Sequence, residues 1–150
     1  MPQVVCDSSC LIVLDRIGHL ALLKAMYDQV LITAEVEKEF GRPLPDYLVV
    51  RAVQDNRCCR VLQTMLDAGE ATVIALALEI ENSVLILDDL KARKIARAIG
   101  IRWTGTLGVL IEAKSRGIVL SVKPLLRELR NRGFWISDDL CSEVLTLAGE

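Results

Sequence analysis

Three short runs in this chain, Val4–Cys6, Val30–Ile32 and Val84–Leu87, contain no polar residue at all. A strand with one wet face alternates apolar and polar side chains, so an unbroken apolar run marks a strand covered on both faces. Each run is followed by a stretch with helical spacing, and hairpin signals are scarce. The pattern predicts an α/β fold with three layers, helices on both sides of a central, mainly parallel sheet.

The elements are expected as follows. A strand over Gln3–Asp7 leads into a helix over Ser8–Ile17, whose serines are able to cap its start. His19–Met26 reads as a second amphipathic helix, Gln29–Thr33 as a second strand and Ala34–Phe40 as a helix closed by the loop 41–45. Asp46–Val53 reads as helical, and Asp55–Gln63 as a turn followed by irregular or short extended chain. Asp67 is the expected N-cap of a long helix reaching Ile80, with Glu70 completing a capping box. Beyond the Val84–Leu87 strand come a helix from Leu90 stopped at Gly100, a strand over Ile101–Gly105 and a helix from Thr106 stopped at Gly117. Ser121 is the expected N-cap of the next helix, with Pro124 in its first turn. Phe134–Ile136 reads as a last edge strand before a C-terminal helix from Ser137.

Composition narrows the class. With 150 residues, 52% of them hydrophobic and 25% charged, the chain is expected to form one compact domain over 1–150. No apolar run is long enough to span a bilayer and the start lacks a basic segment, so no membrane partner and a cytoplasmic location are expected. The five cysteines are odd in number and two are adjacent, which argues against a disulfide framework; nothing completes a zinc site beside Cys6 and Cys10. His19 is the only histidine, which excludes a two-histidine ribonuclease and makes a Ser-His-Asp triad improbable; it is expected to be a surface or capping residue. A net charge of −2 is not that of a typical nucleic-acid binder, so either the partner is something else or acids and bases are segregated.

Topology allows several of the acids to meet at one edge of the sheet. Ligands of open parallel sheets bind beyond the carboxyl ends of the strands. Asp7 ends the first strand, Asp88 and Asp89 follow the Val84–Leu87 strand, Glu39 lies in the helix after the second strand and Glu70 opens the helix before the third. Singly, each has a structural explanation as a cap or a solvated acid, worth only ~0.3–1 kcal/mol at a helix start. Together they exceed that return: two carboxylates ~4 Å apart repel by about 4 kcal/mol at an effective dielectric near 20. A divalent cation resolves the conflict, and an all-oxygen ligand set suits Mg²⁺ or Mn²⁺. Such an ion would hold a phosphate oxygen and lower the pKa of a bound water.

Bases gather next to the acids. The helix from Leu90 carries Lys91, Arg93, Lys94 and Arg97, with Lys114, Arg116, Arg127, Arg130 and Arg132 beyond. A phosphate chain approaching a metal would suit such a rim, and a solvated helix face explains the same residues.

Five segments, "VVCDSSCLIVLDRIG", "EVEKEF", "LDAGEATVIALAL", "VLILDDLKARKIARAIGIRWTGTLGVLIEAKSRGIV" and "RGFWISDDLCSEVLTLAGE", resemble PIN-domain proteins over nearly the whole chain. The likeness is to the VapC-toxin-like branch, with "GE…A…LA" before "DD…AR" and then "TGT.G.L..AK..G". It implies a metal-dependent ribonuclease acting on single-stranded or structured RNA, often the toxin of a toxin–antitoxin pair, with a small antitoxin partner and a homodimeric state. By position, the resemblance makes Asp7, Glu39, Glu70 and either Asp88 or Asp89 the catalytic acids that bind Mg²⁺ or Mn²⁺. Glu70 stands where most PIN domains carry an aspartate. Ser8, Thr104 and Thr106 would steady water or phosphate, and capping explains Ser8 and Thr106 equally. The alternative is a PIN-like binding or assembly module with little or no activity.

Overall fold

The computed structural model describes residues 1–150. Its centre is a five-stranded, wholly parallel sheet in the order β3-β2-β1-β4-β5. The strands are β1 (Gln3–Cys6), β2 (Val30–Ile32), β3 (Leu48–Val50), β4 (Ser83–Ile86) and β5 (Arg102–Thr104). Nine helices flank it as a three-layer α/β/α fold: α1 (Ser8–Arg16), α2 (Leu22–Tyr27), α3 (Ala34–Phe40), α4 (Asn56–Gln63), α5 (Ala68–Glu79), α6 (Leu90–Ala98), α7 (Thr106–Ser115), α8 (Lys123–Asn131) and α9 (Asp138–Leu147).

The three apolar runs form the middle of the sheet. β1 pairs with β2 on one side and β4 on the other, with Val5 opposite both Leu31 and Leu85. Val5, Cys6, Val30, Ile32, Leu85 and Ile86 are wholly inaccessible, as two covered faces require. Between β1 and β4 the chain order reverses, which opens a crevice past their carboxyl ends. Helix α5 packs against β1 and β4, with α3 and α4 beside it. It is apolar nearly all round, as a helix buried inside a fold must be.

Several expectations need correction. Asp46–Val53 is not a helix: Leu48–Val50 form β3, held by Val30 N–H to the Tyr47 carbonyl and Arg51 N–H to the Ile32 carbonyl, each 2.9 Å. Stiff Val49 and Val50 fit a pleated edge better than a helix. Asp55–Gln63 is not extended: the Asp55 carboxylate takes the amides of Arg57 and Cys58, both at 3.1 Å, and starts α4, which buries Cys59 and Leu62 three residues apart. Phe134–Ile136 is not a strand. Its backbone is claimed by α8, through Phe134 N–H to the Leu129 carbonyl and Arg130 to the Ile136 carbonyl. The second helix begins at Leu22 rather than His19, after a turn that bonds Leu22 N–H to the His19 carbonyl.

Ser121 does not cap α8. The Glu150 carboxylate does that work, accepting from the Ser121 hydroxyl, from the Val122 amide at 2.6 Å and from Lys114 at 3.1 Å. These donors hold the Glu150 carboxyl down at about 2. All five cysteines are free thiols, and burial pushes the Cys6 thiol well above its ordinary value. His19 bonds through Nδ1 to the Ile17 carbonyl at the end of α1. No helix is long and apolar enough to cross a membrane.

Candidate active site

The acids sort onto the carboxyl edge of the sheet. Asp7 leaves β1 at the N-cap position of α1, and its amide bonds to the Ile86 carbonyl of β4 at 3.0 Å, so it stands at the order reversal. It is only 5% exposed, and its side chain makes no capping hydrogen bond. Burial raises its carboxyl to about 6, helped by the charges of Glu39, Asp67 and Asp88 and opposed by the Ser8 amide.

Ser8 is not the cap of α1 but its first helical residue, and its hydroxyl points at the Glu39 carboxylate, 3.5 Å away. Glu39 lies on α3, whose start is fixed by Thr33: its hydroxyl accepts from the Val36 amide and bonds the hydroxyl of Thr72 on α5 at 2.8 Å. That buried threonine pair docks α3 on α5 and brings Glu39 over the first turn of α5. There Gly69 leaves room for the carboxylate; a Cβ at this position would collide with it. Burial raises the Glu39 carboxyl, and the charges of Asp67 and Glu35 add to it.

Glu70, half-buried on the next residue of α5, is raised to about 7 by burial and by the charges of Asp67, Asp89 and Asp7. Only half of the expected capping box forms: the Asp67 carboxylate accepts the Glu70 amide at 2.8 Å, and no bond returns from the Glu70 side chain. Asp67 belongs to the same electrostatic field. It was read solely as a cap, yet its charge acts on Asp7, Glu39 and Glu70. The spacing Asp67–Glu70, with both acids on the leading turn of one helix, was the available signal.

The two aspartates after β4 divide their duties. Asp88 receives the Thr106 amide at 2.8 Å on Oδ1 and the Thr106 hydroxyl at 2.6 Å on Oδ2, so it caps α7 from outside that helix. Asp89 caps α6, with Oδ2 accepting the Ala92 amide at 2.8 Å, and its Oδ1 has no partner in the protein. Thr106 is therefore neither the N-cap of α7, which is Gly105, nor a free hydroxyl. Thr104 makes no bond to the acids; its hydroxyl lies against Gly108.

Arg93 differs from the other bases of α6. Its guanidinium donates to the Leu87 carbonyl at 2.7 Å, lies 3.5 Å from Asp88 and stacks over Trp103, 4.4 Å from the ring centroid. Gly105 admits this arrangement, since a Cβ there would strike Arg93 and Asp88. Lys91, Lys94 and Arg97 are exposed and in no ion pair within 4.0 Å.

Four segments thus place carboxylates in one shared field, the arrangement whose repulsion a cation relieves. The donor set, all oxygen, fits a hard divalent ion. No three acids, with or without histidine or cysteine, stand close enough together to form a ligand cage. Comparison with curated proteins finds no match. Comparison with known families matches residues 3–150 to the PIN domain. The chain belongs to the PIN-domain family.

Proposed function

We propose that residues 1–150 act as a single divalent-cation-dependent endoribonuclease that hydrolyses RNA phosphodiesters. PIN domains are typically nucleases and generally use divalent metals. The observation that carries the reading is Asp7: an almost wholly buried carboxylate at the order reversal, raised to about 6 in a field of other acids. The Ser8 amide does not offset that burial, and a nearby positive charge would.

Asp7, Glu39 and Glu70 would hold the ion, with Asp89 contributing its unpartnered Oδ1. Mg²⁺ or Mn²⁺ suits these ligands. When bound, such an ion supplies Lewis acidity toward a phosphate oxygen and makes nearby water a stronger nucleophile. Asp88 positions the cleft wall by fixing α7 and Arg93. Ser8 orients the Glu39 carboxylate. Lys91, Lys94 and Arg97 are free to meet phosphates, while Arg93 acts through Asp88. Resemblance to the VapC-like branch supports a toxin role with a small antitoxin partner and a homodimer.

One observation favours the alternative, a binding module without activity: the acids do not converge as a cage. Purified protein with Mn²⁺ and single-stranded RNA separates the readings. The nuclease cuts the RNA, and Asp7→Asn abolishes cutting. Cleavage undiminished by Asp7→Asn refutes the assignment.

A further inference from the structure

Beside the acidic cleft runs a groove of about 680 Å³, bounded by α6, β5, α7 and α9. Asp88 and Arg93 stand in its wall, and Phe134 and Trp135 of the chain between α8 and α9 line it too. Three of its apolar side chains are left in water: Trp135 is 83% exposed, Leu90 71% and Leu147 65%. Exposed side chains of this size, grouped around one groove, mark a binding surface.

Phe134 also borders a smaller hollow that contains Arg16 and Arg132. Both arginines are exposed, and neither has an acidic partner within 4.0 Å. The surface therefore runs from acids, through aromatic and aliphatic side chains, to two uncompensated cations. Flat apolar faces next to free positive charge match a nucleobase next to its phosphates. A second copy of this chain fits a nuclease less well, because it would close the cleft beside Asp88 and Arg93 in every molecule.

We infer that this groove is a nucleobase subsite for single-stranded RNA, with an unpaired base stacked on Trp135 and backbone phosphates on Arg16 and Arg132. The inference rests on the nuclease reading and adds to it where the strand lies outside the cleft. A duplex keeps its bases stacked on each other, so the subsite selects single strands.

The test uses the full chain and a fluorescently labelled single-stranded oligoribonucleotide, with EDTA present so that nothing is cut. Trp135→Ala is expected to weaken binding by roughly 5- to 150-fold, the loss that removing one stacking platform brings. Arg16→Gln combined with Arg132→Gln is expected to flatten the plot of log affinity against log salt by about 1.4, or ~0.7 per phosphate. Wild-type affinity and salt slope in both variants overturn the inference. So does light scattering that shows a dimer reduced to a monomer by Trp135→Ala while RNA affinity is unchanged, since the groove is then a subunit interface. Failure of the nuclease reading looks different: RNA is bound through this groove, with both expected losses, but is never cut in Mn²⁺.

Discussion

Asp88 holds Thr106 with both of its carboxylate oxygens, one on the amide at 2.8 Å and one on the hydroxyl at 2.6 Å. Thr106 is fully buried, so no water can replace those bonds. The pair joins the exit of β4 to the start of α7, and Arg93 braces it from α6. The adjacent aspartates that end the apolar run are therefore two caps for two different helices.

This division makes the two aspartates separable by stability. Asp88→Ala leaves a buried amide and hydroxyl without acceptors and is expected to cost about 2–4 kcal/mol in urea unfolding. Asp89→Ala removes an exposed cap and is expected to cost about 1 kcal/mol. Equal losses would mean that Asp88 does not hold α7 as described.

Asp7 is expected to trade stability for function. Its folded carboxyl is raised to about 6, against about 3.9 in an unfolded chain. The folded protein keeps the proton longer, so Asp7 lowers stability as pH rises from about 4 to about 7 and has no effect below that window. Asp7→Asn, which stays neutral, is expected to stabilise by about 2–3 kcal/mol at pH 8 and by nothing near pH 3. Glu70→Gln should act in the same direction with a smaller gain, since Glu70 is half-buried and solvent screens it. Thermal unfolding across this pH range checks both. A destabilised Asp7→Asn at pH 8 would contradict the account.

Gly69→Ala separates helix stability from the site. Alanine favours a helix over glycine by about 1 kcal/mol, and only the flexible end of Glu39 stands in the way of the new Cβ. The variant is expected to unfold no earlier than wild type while binding Mn²⁺ at least about tenfold more weakly, since Glu39 is displaced. Calorimetric titration reads the affinity, and unchanged affinity would remove Glu39 from the ligand set.

Much of this was legible in the chain. The apolar runs of β1, β2 and β4 identify themselves by lacking alternation, and Asp67, Ser137 and Gly100 mark helix boundaries through local chemistry. β3 was not legible, because a three-residue edge strand is defined by pairing with β2 rather than by its own pattern. The Asp55 cap of α4 was in plain view, and the cysteines and arginines after it obscured the helical spacing of Cys59 and Leu62. The sequence also shows which acids follow the strands, and the structure puts Asp7, Asp88 and Asp89 just past the ends of β1 and β4. The clearance at Gly69, the Thr33–Thr72 bond and the double grip of Asp88 on Thr106 are contacts between distant segments that no local pattern encodes.

Glu150 gives a pH dependence of opposite sign. Its carboxyl is lowered to about 2 by the Ser121 hydroxyl and the Val122 amide, so the stability it contributes is complete above about pH 4.5 and is lost as pH falls through 2. Glu150→Gln is expected to lower the melting temperature at pH 7, with the difference from wild type vanishing near pH 2. A difference that persists at pH 2 would show that charge at the start of α8 is irrelevant.

The central claim is that Asp7, Glu39, Glu70 and Asp89 share one cation. Crystals grown with Mn²⁺ and measured for anomalous scattering test it most directly. The account predicts a peak past the carboxyl ends of β1 and β4, within ligand distance of Asp7 and at least two of the other three carboxylates. A map with no peak there, or with Mn²⁺ bound only elsewhere, would contradict it.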